Sequence, residues 1–219
     1  YILAGSAELA GDEDFALVKI DSEGNEEWFK TFNGTLQNLN SDHGYSVQQT
    51  SDGGYILVGI ERGSSYWNRF LLKTDSSGNE EWAKTFDNGD GSQFRGVVET
   101  SDGGYVMCGG TYNGSDDDAQ ILKTNSSGDI EWSNIYGGIG DPEKFYSIQK
   151  TPDGGYIAGG FREVNSPGGD AQFYLVKTDQ SGNQEWAKTY QSGDTSDQEV
   201  MYHLNTTNDG GYITVGNTN

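Results

Sequence analysis

The sequence predicts an all-β chain of short antiparallel strands arranged in a tandem repeat. The string DGGY occurs four times, at spacings of 50, 51 and 56 residues. A second string, D/N-x-x-G-x-x-x-W, recurs in phase with the first. No stretch keeps the apolar spacing of three and four residues that an amphipathic helix requires, so helices should be rare. Self-similarity at this period is typical of repeat architectures. The string DGGY begins at Asp52, Asp102, Asp153 and Asp209. The second string ends at Trp28, Trp82, Trp132 and Trp186.

Each repeat contains the pattern of four strands. The segment GYSVQQT (44–50) alternates with a period of two, as a first strand would. The tight-turn sequence SDGG follows it and leads into YILVG (55–59), a short apolar second strand. The third strand is FLLKT (70–74), and the turn DSSGN connects it to the fourth strand, EEWAKTF (80–86). Four antiparallel strands in about 50 residues are the signature of a β-propeller blade.

The layout YILVG, FLLKTDSSGNEEW is similar to the blades of kelch and pyrroloquinoline-quinone-type propellers. The longer combination DGGY…LLKTDSSGNEEWAKTF…GYSVQQTSDGGY resembles repeats of large secreted or surface-anchored bacterial and archaeal propeller proteins. The resemblance covers nearly every residue outside the variable loops. It implies a propeller fold and a secreted or cell-surface location, and it implies little about activity.

The strand count predicts one domain over residues 1–219. Four first, five second, four third and four fourth strands are expected, because the chain opens and closes on a second strand. This count fits a five-bladed ring with an incomplete blade, or part of a longer array. In the array, exposed terminal strands would pair with further blades or chains. The repeat units are approximately 1–51, 52–101, 102–152, 153–208 and a partial 209–219.

The charge excludes one class of partner. With 13 Lys and Arg against 34 Asp and Glu, the net charge is −21, so phosphate contacts to a nucleic acid are not expected. No apolar run approaches the roughly 18 residues of a membrane span. The single cysteine, Cys108, excludes an internal disulfide, and its place in the second-strand pattern indicates a small buried side chain.

The turns between strands one and two, and between three and four, hardly change from repeat to repeat. The other two connections differ every time, so they predict a variable face that carries function. We expect a non-catalytic extracellular or cell-surface module that binds a glycan or a protein there. Two alternatives remain: a polysaccharide-active enzyme that uses loop carboxylates, and a purely structural building block. Neither His43 nor His203 belongs to a recognisable triad or metal motif.

Aromatic residues outside the repeat are the first ligand-binding candidates. Trp67 is the one tryptophan outside the repeated pattern, and Tyr66 lies beside it in a polar loop. Such residues typically stack on sugars or anchor partners, although this pair would also serve to cover a sheet edge. Tyr112 and Phe161 occupy neighbouring loops and extend the same surface.

Acidic clusters are the metal candidates, and no cofactor is required by any motif. Closely spaced carboxylates suit calcium, but no loop has the full D-x-D-x-D-G…E spacing, so solvated acidic loops are the simpler interpretation. The candidate calcium ligands are Asp12, Asp14, Asp116, Asp117, Asp118 and Asp170. The candidate glycosylation sites are Asn33, Asn113 and Asn125; a further sequon at Asn205 falls in a first strand.

The residues that repeat are predicted to build the fold. The four repeated tryptophans should pack between neighbouring blades. The repeated Lys of strand three and Glu of strand four should pair across the sheet, and the Asp of DGGY should accept hydrogen bonds from its own turn. The expected pairs are Lys19 with Glu27, Lys73 with Glu81, Lys123 with Glu131 and Lys177 with Glu185.

Overall fold

The computed structural model describes residues 1–9, 12–36, 41–63, 66–86, 91–138, 140–164, 169–191 and 199–218. Within these ranges the chain forms strands and turns, and it contains no helix. Accordingly, no helix there has the length and apolarity to span a membrane. The strands are β1 (Ile2–Leu9), β2 (Asp12–Ile20), β3 (Glu26–Phe32), β4 (His43–Gln49), β5 (Tyr55–Arg62), β6 (Trp67–Thr74), β7 (Glu80–Phe86), β8 (Gln93–Glu99), β9 (Tyr105–Tyr112), β10 (Asp117–Thr124), β11 (Ile130–Tyr136), β12 (Glu143–Lys150), β13 (Tyr156–Val164), β14 (Asp170–Thr178), β15 (Gln184–Tyr190), β16 (Glu199–Thr206) and β17 (Tyr212–Thr218).

The strands form five antiparallel sheets in chain order. Sheets II (β4–β7), III (β8–β11) and IV (β12–β15) have four strands each. Sheet I (β1–β3) has three strands and sheet V (β16–β17) has two. The sequence repeat is therefore offset from the sheets by one strand: the repeat begins at a second strand, whereas the sheet begins at the first strand before it.

The first strands join consecutive sheets. Strand β8 packs against β5 and β6 of the preceding sheet. In the same way β12 packs against β9 and β10, and β16 packs against β13 and β14. The four first strands β4, β8, β12 and β16 also contact each other in order. Side-chain to backbone hydrogen bonds reinforce this row: Gln48 Oε1 accepts one from the Glu99 N–H at 2.7 Å, and Ser147 Oγ accepts one from the Leu204 N–H at 3.2 Å.

The predicted turns are confirmed. Gly53 adopts φ +88°, which glycine tolerates at no steric cost, and Asp52 Oδ1 accepts a hydrogen bond from the Gly54 N–H at 2.9 Å. In the turn between strands three and four, Asp75 Oδ1 accepts hydrogen bonds from the N–H groups of Ser77 and Asn79, both at 2.8 Å. The sequence strings DGG and DxxG are thus turn signals with an identifiable mechanism.

The repeated tryptophans pack between sheets, as predicted. The ring centroid of Trp82 in sheet II lies 5.9 Å from that of Tyr105 in sheet III. A Cβ added to Gly128, in the turn between β10 and β11, would lie 3.0 Å from Trp82 Cζ3. The glycine of DxxG therefore makes room for the indole of the preceding sheet. Trp28 and Trp132 repeat both contacts one sheet earlier and one sheet later.

The terminal sheets expose faces that are buried in the interior sheets. Ile56 and Val58 of β5 are fully buried and cluster with Phe94 of sheet III. Ile213 and Val215 occupy the same positions on β17 and are each 62% exposed. Among the described residues no sheet covers this face, and sheets I and V are not joined by strand pairing.

The second and third strands are longer than the sequence indicated, and the loops between them are shorter. Phe161, which was expected in a loop, lies inside β13 and pairs with Phe173 of β14. Trp67 begins β6, and Tyr112 ends β9. The polar residues at these strand ends predicted loops, but the strand pairing continues through them.

Candidate functional site

Each first strand contains a β-bulge at the same position. In β4 the pairing with β5 skips from Gly44 to Ser46, so that Tyr45 is the extra residue. The predicted alternation through GYSVQQT is therefore broken at this point. Bulges re-aim a side chain and are enriched beside functional sites. The four bulged residues, one from each of sheets II to V, are Tyr45, Arg95, Tyr146 and Tyr202.

A repeated glycine on the second strand accommodates each bulge. A Cβ added to Gly109 would lie 1.8 Å from the backbone oxygen of Gln93, two residues before the bulged Arg95. The same close approach occurs at Gly59, Gly160 and Gly216. Gly5 holds the equivalent position in β1, which is not paired with a first strand in its own sheet, and an added Cβ there would meet nothing within 4 Å. The final glycine of the YILVG pattern is thus required by the bulge.

The bulged side chains form a continuous row, which we call the bulge row. The Arg95 guanidinium carbon lies 3.8 Å from the ring centroid of Tyr45 and 5.7 Å from that of Tyr146. The rings of Tyr146 and Tyr202 meet edge to face with centroids 5.5 Å apart. Tyr45, Arg95 and Tyr146 are half-buried, whereas Tyr202 is 52% exposed. Residues far apart in sequence are therefore brought side by side across four sheets.

Two of the aromatic candidates from the sequence extend this row. Phe161 stacks on Tyr146 with centroids 6.0 Å apart. Trp67 reaches the other end through His43, whose ring lies 5.3 Å from Trp67 and 6.4 Å from Tyr45. The other two candidates, Tyr66 and Tyr112, are exposed. The bulge row thus links Phe161 and Trp67 through intervening side chains, although they lie in different sheets.

A shallow groove of about 240 Å³ runs along the first strands beside the bulge row. The four bulged residues line it together with other residues of the first strands, including Ser46, Ser147 and His203. The groove thus combines aromatic faces with polar groups. This mixture is characteristic of sites that bind small polar ligands.

Burial raises the pKa of two groove tyrosines further above neutral pH. Desolvation raises the pKa of Tyr45 and of Tyr146, although the nearby Arg95 charge lowers both. At neutral pH both phenol groups therefore carry a proton that they can donate in a hydrogen bond.

Three of the acidic metal candidates, Asp116, Asp117 and Asp118, are engaged with protein groups. Asp116 and Asp118 both accept hydrogen bonds from Asn113 Nδ2, at 2.5 and 2.9 Å, whereas Asp117 pairs with Lys144 Nζ at 2.8 Å. The side chain of Asp12 lies outside the described residues; Asp14 is buried in β2, and Asp170 is half-buried at the start of β14. In the described ranges, no group of three or more His, Cys, Asp or Glu side chains is arranged to hold a metal ion. Calcium binding stays a prediction.

The sequons differ in accessibility. Asn33 and Asn113 are exposed. Asn125 is half-buried, and its Oδ1 accepts hydrogen bonds from the N–H groups of Ser127 and Asp129, both at 2.9 Å. Asn205 lies in β16 and is exposed because sheet V ends the described series.

The repeated charged residues form ion pairs at a distance from the bulge row. Lys73 Nζ lies 2.8 Å from Glu81 Oε2, which confirms the predicted cross-strand pair, and 2.9 Å from Asp52 Oδ2. The Lys73 hydrogen bond is the largest effect that lowers the pKa of Asp52, to about 2. Lys123 and Lys177 repeat both contacts, and Lys19 repeats the contact to glutamate. Cys108 is buried, and desolvation raises the pKa of its thiol.

Buried carboxyl groups stand three residues before three of the bulges, at Asp42, Glu143 and Glu199. Asp42 Oδ2 accepts a hydrogen bond from the Gly34 N–H at 2.9 Å, and Glu143 Oε1 accepts one from the Gly138 N–H at 3.2 Å. Desolvation raises the pKa of Asp42 to about 6 and that of Glu143 to about 7. These groups cap the connections that lead into the first strands.

Glu143→Gln is expected to flatten the dependence of stability on pH. Because the pKa of Glu143 is raised in the folded state, its contribution is fully present below the unfolded pKa and is lost as the pH rises through about 7. We expect the variant to lose about 2 kcal/mol less stability than the parent between pH 5 and pH 8. Urea unfolding at both pH values measures this difference. Glu80→Gln, at an exposed position, controls for net charge, and an unchanged slope in Glu143→Gln would refute the role of this carboxyl.

Comparisons with known proteins add information on the fold alone. No family model matches the chain, and no curated protein matches it in sequence. Among solved structures, it is similar to a Bacteroides caccae protein of unknown function, with a TM-score of 0.58 and 11% identity. The similarity covers 97% of this chain and 64% of that protein, so the chain spans less than two thirds of that protein's length.

Sequence reasoning missed the bulge row. Each bulged residue stands at the same place in its repeat, within the strings HGYS, QFRG, KFYS and VMYH. This alignment was a usable signal, because the same position of each repeat carries a large side chain: Tyr, Arg, Tyr and Tyr. A period-of-two pattern cannot reveal it, since an extra residue shifts the alternation.

Proposed function

We propose that the five sheets are blades of a β-propeller that acts as a non-catalytic saccharide-binding module on a cell surface or in a secreted assembly. The propeller assignment is supported by the order of the sheets and by first strands that contact one another. The acidic composition and the resemblance to surface-anchored repeats favour the extracellular location.

The observation that carries the binding proposal is the bulge row. Aromatic side chains stack on the apolar faces of sugar rings, and adjacent polar groups bind the hydroxyls. The row offers three tyrosine rings next to a polar groove of about 240 Å³. A protein ligand is less well matched, because protein interfaces bury about 800 Å² per partner. The ligand therefore lies along the first strands, with Trp67 and Phe161 at its flanks.

Tyr146→Ala is expected to weaken saccharide binding by about 30-fold, the loss typical of removing a central aromatic anchor. Tyr146 contacts Arg95, Tyr202 and Phe161, so its ring lies at the centre of the row. Tyr202→Ala, at a more exposed position, should weaken binding with little effect on folding. A glycan array identifies the ligand, and calorimetry gives the affinities.

Tyr190→Ala is the matched control, because Tyr190 is an exposed tyrosine at the end of β15. It should bind as the parent does, and none of the variants should release product from the bound glycan. Full affinity in folded Tyr146→Ala and Tyr202→Ala would overturn the proposal.

A further inference from the structure

Arg95 is the one charged member of the bulge row. Its guanidinium is planar and lies 3.8 Å from the Tyr45 ring centroid, within stacking distance. Nε and Nη2 both donate to Gln93 Oε1, at 3.1 and 2.5 Å. Two contacts, a ring and an amide, thus hold the guanidinium in place.

No ion pair joins Arg95 to a carboxylate in the described part of the chain, although the chain as a whole carries a net charge of −21. The repeated lysines behave differently. Lys73 and Lys177 each contact two carboxylates, and the cation of Arg162 contacts Asp141 and Glu143. A guanidinium has five N–H donors; Gln93 accepts hydrogen bonds from two of them and the Tyr45 hydroxyl engages a third, so two remain for a ligand.

The other polar groups beside Arg95 are also donors. Tyr45 and Tyr146 flank the guanidinium as neutral phenols, and each can donate one hydrogen bond. A guanidinium fork between two phenols matches the oxygens of a carboxylate or a sulfate. Uncharged sugar hydroxyls would use this fork less fully.

Asp117 and Glu13, whose charges raise the pKa values of Tyr146 and Tyr45 respectively, have partners of their own. The Asp117 carboxylate pairs with Lys144 Nζ at 2.8 Å. Glu13, on the Tyr45 side, lies 3.5 Å from His43 Nδ1. Arg95 therefore keeps its positive charge available in an otherwise acidic molecule.

We infer that the groove selects anionic saccharides, with the Arg95 guanidinium binding the carboxylate or sulfate of the sugar while the tyrosine rings pack against its apolar faces. This inference rests on the proposed saccharide-binding function and specifies its ligand class. Arg95 sets the preference for charge, whereas the aromatic residues contribute affinity for any sugar that fits.

Matched pairs of charged and uncharged ligands separate the preference for an anion from saccharide binding in general. Calorimetry is performed with oligogalacturonate, oligoglucuronate and oligomannuronate, each beside its methyl-esterified form, and with sulfated and unsulfated galactose oligomers. The parent should bind at least one acidic member at least ten-fold more tightly than its neutral counterpart. Preference for the uronates or for the sulfate esters identifies which anion the site takes.

Arg95→Gln should reduce acidic-ligand affinity by about 30-fold, toward that of the neutral counterpart, and should leave neutral binding unchanged. Arg95→Lys should recover only part of the preference, because an ammonium lacks the planar fork. Lys188→Gln, which removes an exposed charge on β15, should retain the parent's selectivity.

Equal affinity for charged and neutral sugars, with both lost in Tyr202→Ala, would overturn the charge selection and leave the binding function standing. Retained selectivity in folded Arg95→Gln would also overturn it. Binding of no member of any pair would overturn the inference, and a glycan array without any binder would in addition refute the saccharide function.

Discussion

Replacing Gly109 by alanine is expected to cost about 3 kcal/mol of unfolding free energy, the upper part of the usual range for overpacking. The added methyl carbon would lie 1.8 Å from the Gln93 backbone oxygen, so β8 or β9 must move. Because β8 also packs on sheet II and contacts β12, that movement cannot stay local. Denaturant unfolding measures the loss.

Gly5→Ala is the matched control for that prediction. Gly5 has the same place in the repeat but no bulged strand hydrogen-bonded to it, and an added methyl group there meets nothing within 4 Å. We expect a change of at most about 0.5 kcal/mol, as for an uncrowded position. If both substitutions reduced the free energy of unfolding equally, glycine would be needed at this strand position whether or not a bulge lies opposite. The assignment of the glycine to the bulge would then be wrong.

Trp82→Ala is expected to destabilise the chain by about 3 kcal/mol, since its partly buried indole links two complete sheets. The ring contacts Tyr105 and occupies the space that Gly128 leaves open. Trp186 makes the equivalent ring contact, with Tyr212 at 6.1 Å. Sheet V, as described, consists of two strands and has no DxxG turn to receive this indole.

Trp186→Ala should therefore cost about half as much as Trp82→Ala. Thermal and urea unfolding of the two variants, measured against the parent, give this ratio directly. Equal losses would show that the turn glycine adds nothing to the packing between sheets.

The sequence predicted those parts of the fold that depend on local chemistry. Positive φ at Gly53 and the backbone hydrogen bonds of Asp52 and Asp75 follow from residue type alone. Period and position also predicted the packing of Trp82 and the pairing of Lys73 with Glu81. Each of these features is repeated, so four copies of the pattern supported each prediction.

The candidate site depends on contacts that no local pattern encodes. Arg95 meets Tyr45 and Tyr146 only because bulges in three sheets align when the first strands pack together. Phe161 joins them from a strand that its polar neighbours made to resemble a loop. Of the four aromatic candidates, Phe161 contacts Tyr146, and Trp67 contacts His43 beside Tyr45. Sequence reasoning overlooked the strand position that these contacts share.

The most direct test of saccharide binding at the bulge row is an NMR titration of the protein with the tightest-binding saccharide from the glycan array. We expect shift changes and intermolecular Overhauser contacts at the rings of Tyr45, Tyr146 and Tyr202 and at the guanidinium N–H groups of Arg95 that Gln93 does not bind. Resonances of the DGG turns, such as those of Gly53 and Gly103, should stay unchanged. Perturbations confined to those turns, or to the Tyr66 and Tyr112 loops with the bulge row unaffected, would contradict it.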